Sequence, residues 1–157
     1  MVLLIGYGND LRGDDAAGRL VAQRIRAYDA VAVEVHSVHQ LTPEFAEIVA
    51  KTDRVVFVDA YVAAEGDPAR AVHIARDAPG ARLDHVGSPE SLLALADCVH
   101  GSRPDAWLVT VPAVSFDYGA APSATTRVGI DDAAVLALGL LAGMPVTSDE
   151  GSAVCTR

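Results

Sequence analysis

Short apolar segments alternate with segments of helical periodicity from the first residues of this chain. Residues 2–7 form an apolar run that ends in a glycine loop, and apolar residues then recur at helical spacing over 16–25. A β-branched run over 31–35, a helix that begins at Thr42-Pro43 and an apolar run over 55–58 continue the alternation. Strands that are apolar on both sides and separated by helices predict a parallel sheet with helices on both faces.

The pattern changes after Asp59. About ten residues connect Asp59 to the next apolar run, 71–74, and this link is too short for the helical crossover that parallel neighbours need. We therefore predict that the fourth strand is antiparallel and lies at an edge of the sheet. The remaining elements are a helix capped by Ser88-Pro89, a fifth strand over 106–111, a polar loop over 112–129 and a last helix over 131–141.

These elements together predict a three-layer α/β sandwich. Its centre is a mostly parallel five-stranded sheet with one antiparallel edge strand, and helices cover both faces. The 157 residues, of which 51% are apolar, suit one domain over 1–145, followed by a loose C-terminal tail over 146–157.

Charge and cysteine content exclude several classes of function. The chain has 21 acidic and 12 basic residues and a net charge of −9, so we expect neither a nucleic-acid nor a membrane partner. Two distant cysteines, Cys98 and Cys155, and the absence of a basic signal-peptide region favour a reducing, cytoplasmic compartment. We also expect no organic cofactor, because Leu11 stands where a dinucleotide-binding loop would need its third glycine.

Carboxylates follow two of the predicted strands. Asp14 and Asp15 open the helix after the first strand, and Asp59 ends the third. Each of them could simply favour a helix dipole or cap a turn. Ligands, however, collect at the carboxyl ends of parallel strands, where Asp15 and Asp59 would lie ~6 Å apart and repel by roughly 3 kcal/mol at an effective dielectric of about 20. Such a pair is typical of a site that holds a proton or a cation.

Histidine offers a third ligand at this edge of the sheet. The other four histidines are expected to be ordinary hydrogen-bonded or solvated side chains. His85 precedes the helix that begins near Ser88, and the start of that helix lies at the same edge as Asp15 and Asp59. Two carboxylates and one imidazole suit nickel, zinc or manganese.

The glycine loop and the acidic pair carry a resemblance to a known family. The segment from Gly6 to Gly18, Gly-Tyr-Gly-Asn-Asp-Leu-Arg-Gly-Asp-Asp-Ala-Ala-Gly, closely resembles the Gly-x-Gly-Asn-x-Leu-x-x-Asp-Asp/Glu-x-x-Gly signature of the [NiFe]-hydrogenase maturation endopeptidases. The segment Val56-Phe57-Val58-Asp59-Ala60 is similar to the strand of that family that ends in Asp-Ala, and Ser88-Pro89 with its leucine-rich helix extends the likeness to about residue 141.

The resemblance implies a cytoplasmic α/β endopeptidase that removes a C-terminal peptide from the hydrogenase large-subunit precursor after nickel insertion. Its metal-recognising and catalytic residues become Asp15, Asp59 and His85, with Glu90 as the alternative third ligand because some members place a histidine directly after Ser-Pro. Nickel is expected to arrive with the substrate. We expect the enzyme to be a monomer.

The loop after the first strand is the predicted substrate-binding region. Backbone N–H groups of Gly6, Gly8 and Asn9 are expected to face the substrate chain or a developing oxyanion, and Asp14 is expected to join them. A plain strand-to-helix turn explains the glycines equally well.

Two other functions are alternatives at this point. A phosphoacceptor receiver domain also carries an acidic pair after strand one and an Asp after strand three, but it needs a lysine after strand five, where this chain has Val111-Pro112. A nickel-sensing maturation chaperone that does not cleave its partner would share the metal site and lack the peptidase reaction.

Overall fold

The computed structural model describes residues 1–28, 32–75 and 87–144. In these residues strands and helices alternate as the sequence predicts. The elements are β1 (Val2–Tyr7), a 3-10 helix (Gly13–Ala16), α1 (Ala17–Ala27), β2 (Val33–Val38), α2 (Phe45–Ala50), β3 (Arg54–Val62), β4 (Arg70–His73), α3 (Pro89–His100), β5 (Asp105–Ala113) and α4 (Ala124–Leu141). No helix in the described ranges is both long and apolar enough to cross a bilayer.

The five strands form one sheet in the order β2-β1-β3-β5-β4. β1 pairs in parallel with β2 and β3, and β3 pairs in parallel with β5. β4 runs antiparallel to β5 at the edge, with Arg70 opposite Thr110 and His73 opposite Trp107. The predicted fold class, including the antiparallel edge strand, is therefore confirmed.

Each face of the sheet buries its own apolar core. Leu4, Val56 and Val109 pack with α1 and α4 on one face. Their strand neighbours Leu3 and Phe57 pack with α2 and α3 on the other. Alternate residues of each central strand thus serve opposite cores, which is why these strands are apolar throughout.

The start of α4 differs from its prediction. The helix begins at Ala124 instead of Asp131, so that its first turns occupy part of the predicted loop. The side chain of Ser123 accepts a hydrogen bond from Thr126 N at 3.2 Å, and the buried Thr126 hydroxyl donates to the Pro112 carbonyl at 2.9 Å. These contacts stabilise a first turn that its own sequence favours weakly.

Two further boundaries were predicted wrongly. α2 begins at Phe45, and Thr42 belongs to the turn before it, where its carbonyl accepts from Phe45 N at 3.1 Å. β3 continues to Val62, opposite Ala113 of β5, so Asp59 lies within the strand and does not end it. The tail over 146–157 and the segment 76–86 lie outside the described residues, so the predicted limit of the domain at 145 stays a prediction.

Candidate active site

Strand alternation places Tyr7 and Asp59 on the same face of the sheet. Leu3 and Ile5 of β1, and Val55 and Phe57 of β3, point into the core beneath α2 and α3. Tyr7 and Asp59 each follow two residues later on the same strand, so their side chains lie on this same face of the sheet. Since Gly6 pairs with Val58, these two residues are neighbours where β1 ends.

Asp59 is a half-buried carboxyl with an unusual affinity for protons. Burial raises its pKa to about 6, although hydrogen bonds from the Tyr7 hydroxyl and from Ala60 N oppose the shift. The Ala60 N–H lies 2.8 Å from Asp59 Oδ1. The negative charge of Asp15 raises the pKa of Asp59 further. A group with this pKa exchanges its proton near neutral pH, as acid–base and metal-binding carboxyls commonly do.

Asp15 reaches the site from the 3-10 helix that precedes α1. It is half-buried, and its Oδ2 accepts a hydrogen bond from Asn9 N at 3.2 Å. The loop after β1 therefore orients this carboxylate toward the sheet edge. Asp15 and Asp59 are close enough for one charge to act on the other, as the sequence indicates.

Glu90 is a third acidic residue near Tyr7 and Asp59. It stands in the first turn of α3, directly after Pro89, and Ser88 caps that helix through a hydrogen bond from Ser91 N at 3.2 Å. The Glu90 charge acts on Tyr7, whose pKa is raised chiefly by burial and then by Asp59 and Glu90. The 3-10 helix before α1, strand β3 and the first turn of α3 thus each bring an acidic residue to the carboxyl end of the parallel strands, called the acidic edge below.

The third metal ligand stays a prediction. His85, the preferred candidate, lies outside the described residues. Across 1–28, 32–75 and 87–144, no three histidine, cysteine or acidic side chains are grouped closely enough to hold a metal ion. Asp15, Asp59 and Glu90 alone therefore do not form a complete site, and a further donor has to come from elsewhere.

The glycine loop serves packing within the chain. A Cβ at Gly6 would lie 2.0 Å from the Gly18 carbonyl oxygen, and one at Gly8 would lie 1.9 Å from that of Asp15. The Gly8 N–H donates to the His39 carbonyl at 3.2 Å, and the Asn9 N–H is held by Asp15. Because the Gly8 and Asn9 donors already have partners, the structure favours the strand-to-helix turn over the predicted substrate contact at these two residues. The substrate contact of Gly6 stays a prediction.

Asp14 points away from the site, into the protein. It is fully buried, and its two oxygens accept hydrogen bonds from four groups: the backbone N–H groups of Val114, Ser115 and Ser123, and the Ser123 hydroxyl. Burial would raise the pKa of Asp14, but these hydrogen bonds outweigh it and the pKa is lowered. The structure thus gives Asp14 a supporting role in place of the predicted substrate contact.

Two of the remaining histidines have ordinary partners, as expected. His36 lies 2.9 Å from Glu34 and packs against Phe45. His73 lies 2.9 Å from Asp105 and packs against Trp107. Neither belongs to the acidic edge.

Tyr7 is the residue that motif-based reasoning missed. It occupies a variable position between two glycines, so the motif gives no reason to select it. Counting alternate residues from Leu3 and Ile5 would have placed it beside the carboxyl end of the strand.

The known proteins found to be similar to this chain are all solved structures. No family model and no curated protein matches this sequence. The [NiFe] hydrogenase maturation protease HycI of Thermococcus kodakarensis KOD1 is 26% identical, with 90% of this chain and 92% of that chain covered at a TM-score of 0.68. The hydrogenase maturating endopeptidase HybD of E. coli is 22% identical, with the same coverage and a TM-score of 0.66. The hydrogenase 2 maturation peptidase of Thaumarchaeota archaeon SCGC_AB-539-E09 is 24% identical over 90% of this chain and 97% of that chain, with a TM-score of 0.66.

The chain has the fold of the hydrogenase maturation proteases. The resemblance that the sequence carries between Gly6 and Gly18 is thus confirmed by structure. The matches cover 90% of this chain and 92% or more of each of these three relatives.

The receiver alternative gains no support from this fold. β5 ends with Val111, Pro112 and Ala113, and no lysine follows. Lys51, the single lysine of the chain, directly follows α2 and pairs with Glu47 at 2.6 Å.

Proposed function

We propose that this chain is an endopeptidase that removes a C-terminal extension from the large-subunit precursor of a [NiFe] hydrogenase. The observation that carries the proposal is the pair of interacting carboxyls, Asp15 and Asp59, at the carboxyl edge of a sheet with the maturation-protease fold. The names of the similar structures support the reaction class. The cytoplasmic location and monomeric state stay predictions from the sequence.

Nickel is part of the substrate in this proposal. Asp15 and Asp59 complete the coordination of an ion that the precursor already holds, with His85 as the predicted further donor. Burial and mutual repulsion make two ionised carboxylates unfavourable in the free enzyme, and a divalent cation between them removes that repulsion. Nickel-loaded precursor therefore binds more tightly than empty precursor, and metal occupancy decides whether cleavage occurs.

The residues around the pair keep it ready for the ion. The Tyr7 hydroxyl donates a hydrogen bond to Asp59, and the backbone N–H of Ala60 donates another to the same carboxyl. Asn9 N–H orients Asp15. Fixing both carboxylates before binding lowers the entropy lost when they take up a metal.

The experiment is cleavage of a purified large-subunit precursor, followed by intact-mass spectrometry. Nickel-loaded and nickel-free precursor are each incubated with wild-type enzyme, with Asp59→Asn and with Asp97→Asn, a control at an exposed position of α3. We expect wild type and the control to shorten the loaded precursor only, and Asp59→Asn to slow that cleavage by at least a hundredfold.

Two outcomes would contradict the proposal. If wild-type enzyme leaves the mass of loaded precursor unchanged while still binding it, the chain is a non-cleaving chaperone. If loaded and empty precursor are cut at equal rates, nickel is not the recognition signal.

A further inference from the structure

Three exposed apolar side chains stand on two neighbouring loops beside the acidic edge. Tyr118 is 76% exposed, Leu11 is 53% exposed and Val114 is 37% exposed. Leu11 belongs to the loop after β1, and the other two belong to the loop between β5 and α4. A hydrogen bond from Gly119 N to the Leu11 carbonyl, 2.8 Å long, joins the two loops. These three residues are called the apolar rim below.

The apolar rim is held firmly from beneath. Asp14 binds the backbone at Val114, Ser115 and Ser123, so one buried carboxylate fixes both ends of the loop that carries Tyr118. Asp14 N donates in turn to the Ser115 carbonyl at 2.9 Å. A loop fixed in this way loses little further entropy when another protein binds it.

The apolar rim is continuous with the candidate active site. Leu11 N donates to Asn9 Oδ1 at 2.9 Å, and Asn9 N donates to Asp15 at 3.2 Å. Asp14, which holds the rim, and Asp15, which belongs to the site, are adjacent residues of the same 3-10 helix. Leu11 is therefore linked to Asp15 through Asn9, so a protein that brings a metal ion to Asp15 also comes close to the apolar rim.

We propose that the apolar rim is the docking surface for the folded body of the large-subunit precursor, an inference that rests on the proposed function. Asp15 and Asp59 are half-buried, so an ion held inside another protein reaches them only when the two surfaces meet around the site. The net charge of −9 favours a basic surface on that partner. Tyr118 supplies an aromatic anchor of the kind that dominates protein interfaces, and Leu11 adds apolar area beside it.

The test separates binding from chemistry. Steady-state cleavage of nickel-loaded precursor is measured for wild type, Tyr118→Ser, Leu11→Ser and Val135→Ser. Val135 is the matched control because it is 70% exposed on α4. We expect KM to rise about tenfold for the two rim variants with kcat within twofold of wild type, and we expect no change for the control. Tyr118→Phe keeps the ring and is expected to keep the wild-type KM.

The outcomes distinguish this inference from the proposed function. If wild type cleaves the precursor and both rim variants keep the wild-type KM, the docking surface is wrong and the peptidase proposal stands. A fall in kcat with unchanged KM also overturns it, because the rim would then act on the site and not on the partner. If wild type neither binds nor cleaves the loaded precursor, both proposals fail together.

Discussion

The carboxyls of Asp15 and Asp59 interact across the edge of the sheet. Burial is the main cause that raises the pKa of Asp59 to about 6, and the charge of Asp15 adds to it. The folded protein thus holds a proton that the unfolded chain releases near its ordinary value of 3.8. This relationship links the proposed metal site to the stability of the fold.

The first prediction concerns stability and pH. Because the pKa of Asp59 is higher in the folded state, its contribution to stability is fully present below about pH 4 and is lost as the pH rises through about 6. Asp59→Asn removes the buried charge, so we expect it to raise the free energy of unfolding at pH 7.5 by about 1–2 kcal/mol, a value reduced for partial exposure.

Urea denaturation at pH 4 and pH 7.5 checks this expectation. Asp97→Asn, on the exposed face of α3, should show no such difference between the two pH values. An Asp59→Asn protein that is less stable than wild type at pH 7.5 would contradict the prediction, because the ionised Asp59 carboxylate would then stabilise the folded state.

The second prediction concerns Tyr7. Its hydroxyl lowers the pKa of Asp59 by hydrogen bonding to the carboxylate, so Tyr7→Phe should raise that pKa above its wild-type value of about 6. A carbon-detected NMR titration of the Asp59 carboxyl measures the change. Tyr61→Phe is the control, because the Tyr61 hydroxyl donates to the Pro68 carbonyl instead. An unchanged or lowered pKa in Tyr7→Phe would mean that the hydroxyl does not support the ionised form.

The third prediction concerns Asp14. Asp14→Ala leaves the backbone N–H groups of Val114, Ser115 and Ser123 without their acceptor, so we expect a loss of about 3 kcal/mol in the free energy of unfolding. Amide hydrogen exchange of these three residues should accelerate more than exchange in the core. Asp117→Asn, an exposed substitution in the same loop, should cost less than about 0.5 kcal/mol. Equal effects of the two substitutions would contradict the supporting role of Asp14.

The fourth prediction compares two glycines in helices. A Cβ at Gly18 of α1 would lie 2.3 Å from the Val58 carbonyl oxygen and 2.4 Å from that of Tyr7, so Gly18→Ala should destabilise the fold by about 3 kcal/mol or more. At Gly139 of α4 the nearest atom, a methyl carbon of Met144, is 3.6 Å away. Gly139→Ala should therefore stabilise by about 0.5–1 kcal/mol through helix propensity. Thermal unfolding of both variants tests this prediction. A Gly18→Ala protein as stable as wild type would show that α1 can move away from the sheet.

The sequence predicts those parts of the fold that local rules determine. The direction of β4 follows from the length of its connection to β3, and the start of α3 follows from Ser88 and Pro89. The first turns of α4 could not be predicted in this way. Thr125, Thr126 and Gly129 disfavour a helix locally, and the groups that hold this turn, Asp14 and Pro112, are distant in sequence.

The candidate site likewise has parts that the sequence predicts and parts that it does not. Asp15 and Asp59 could be paired because the carboxyl ends of parallel strands meet at one edge. The different environments of Asp14 and Asp15 could not be predicted. They depend on the local turn of a 3-10 helix, which directs the Asp14 side chain into the protein and the Asp15 side chain toward the acidic edge. The Gly8 N–H was expected to be open to substrate, but its partner, the His39 carbonyl, is set by the packing of a separate loop.

Nickel-edge X-ray absorption of the loaded precursor, with and without this protein, tests the central claim most directly. If Asp15 and Asp59 complete the coordination, adding the wild-type chain increases the number of oxygen or nitrogen ligands around nickel, and adding the double variant Asp15→Asn, Asp59→Asn does not. A nickel spectrum that stays the same when the wild-type complex forms would contradict the account.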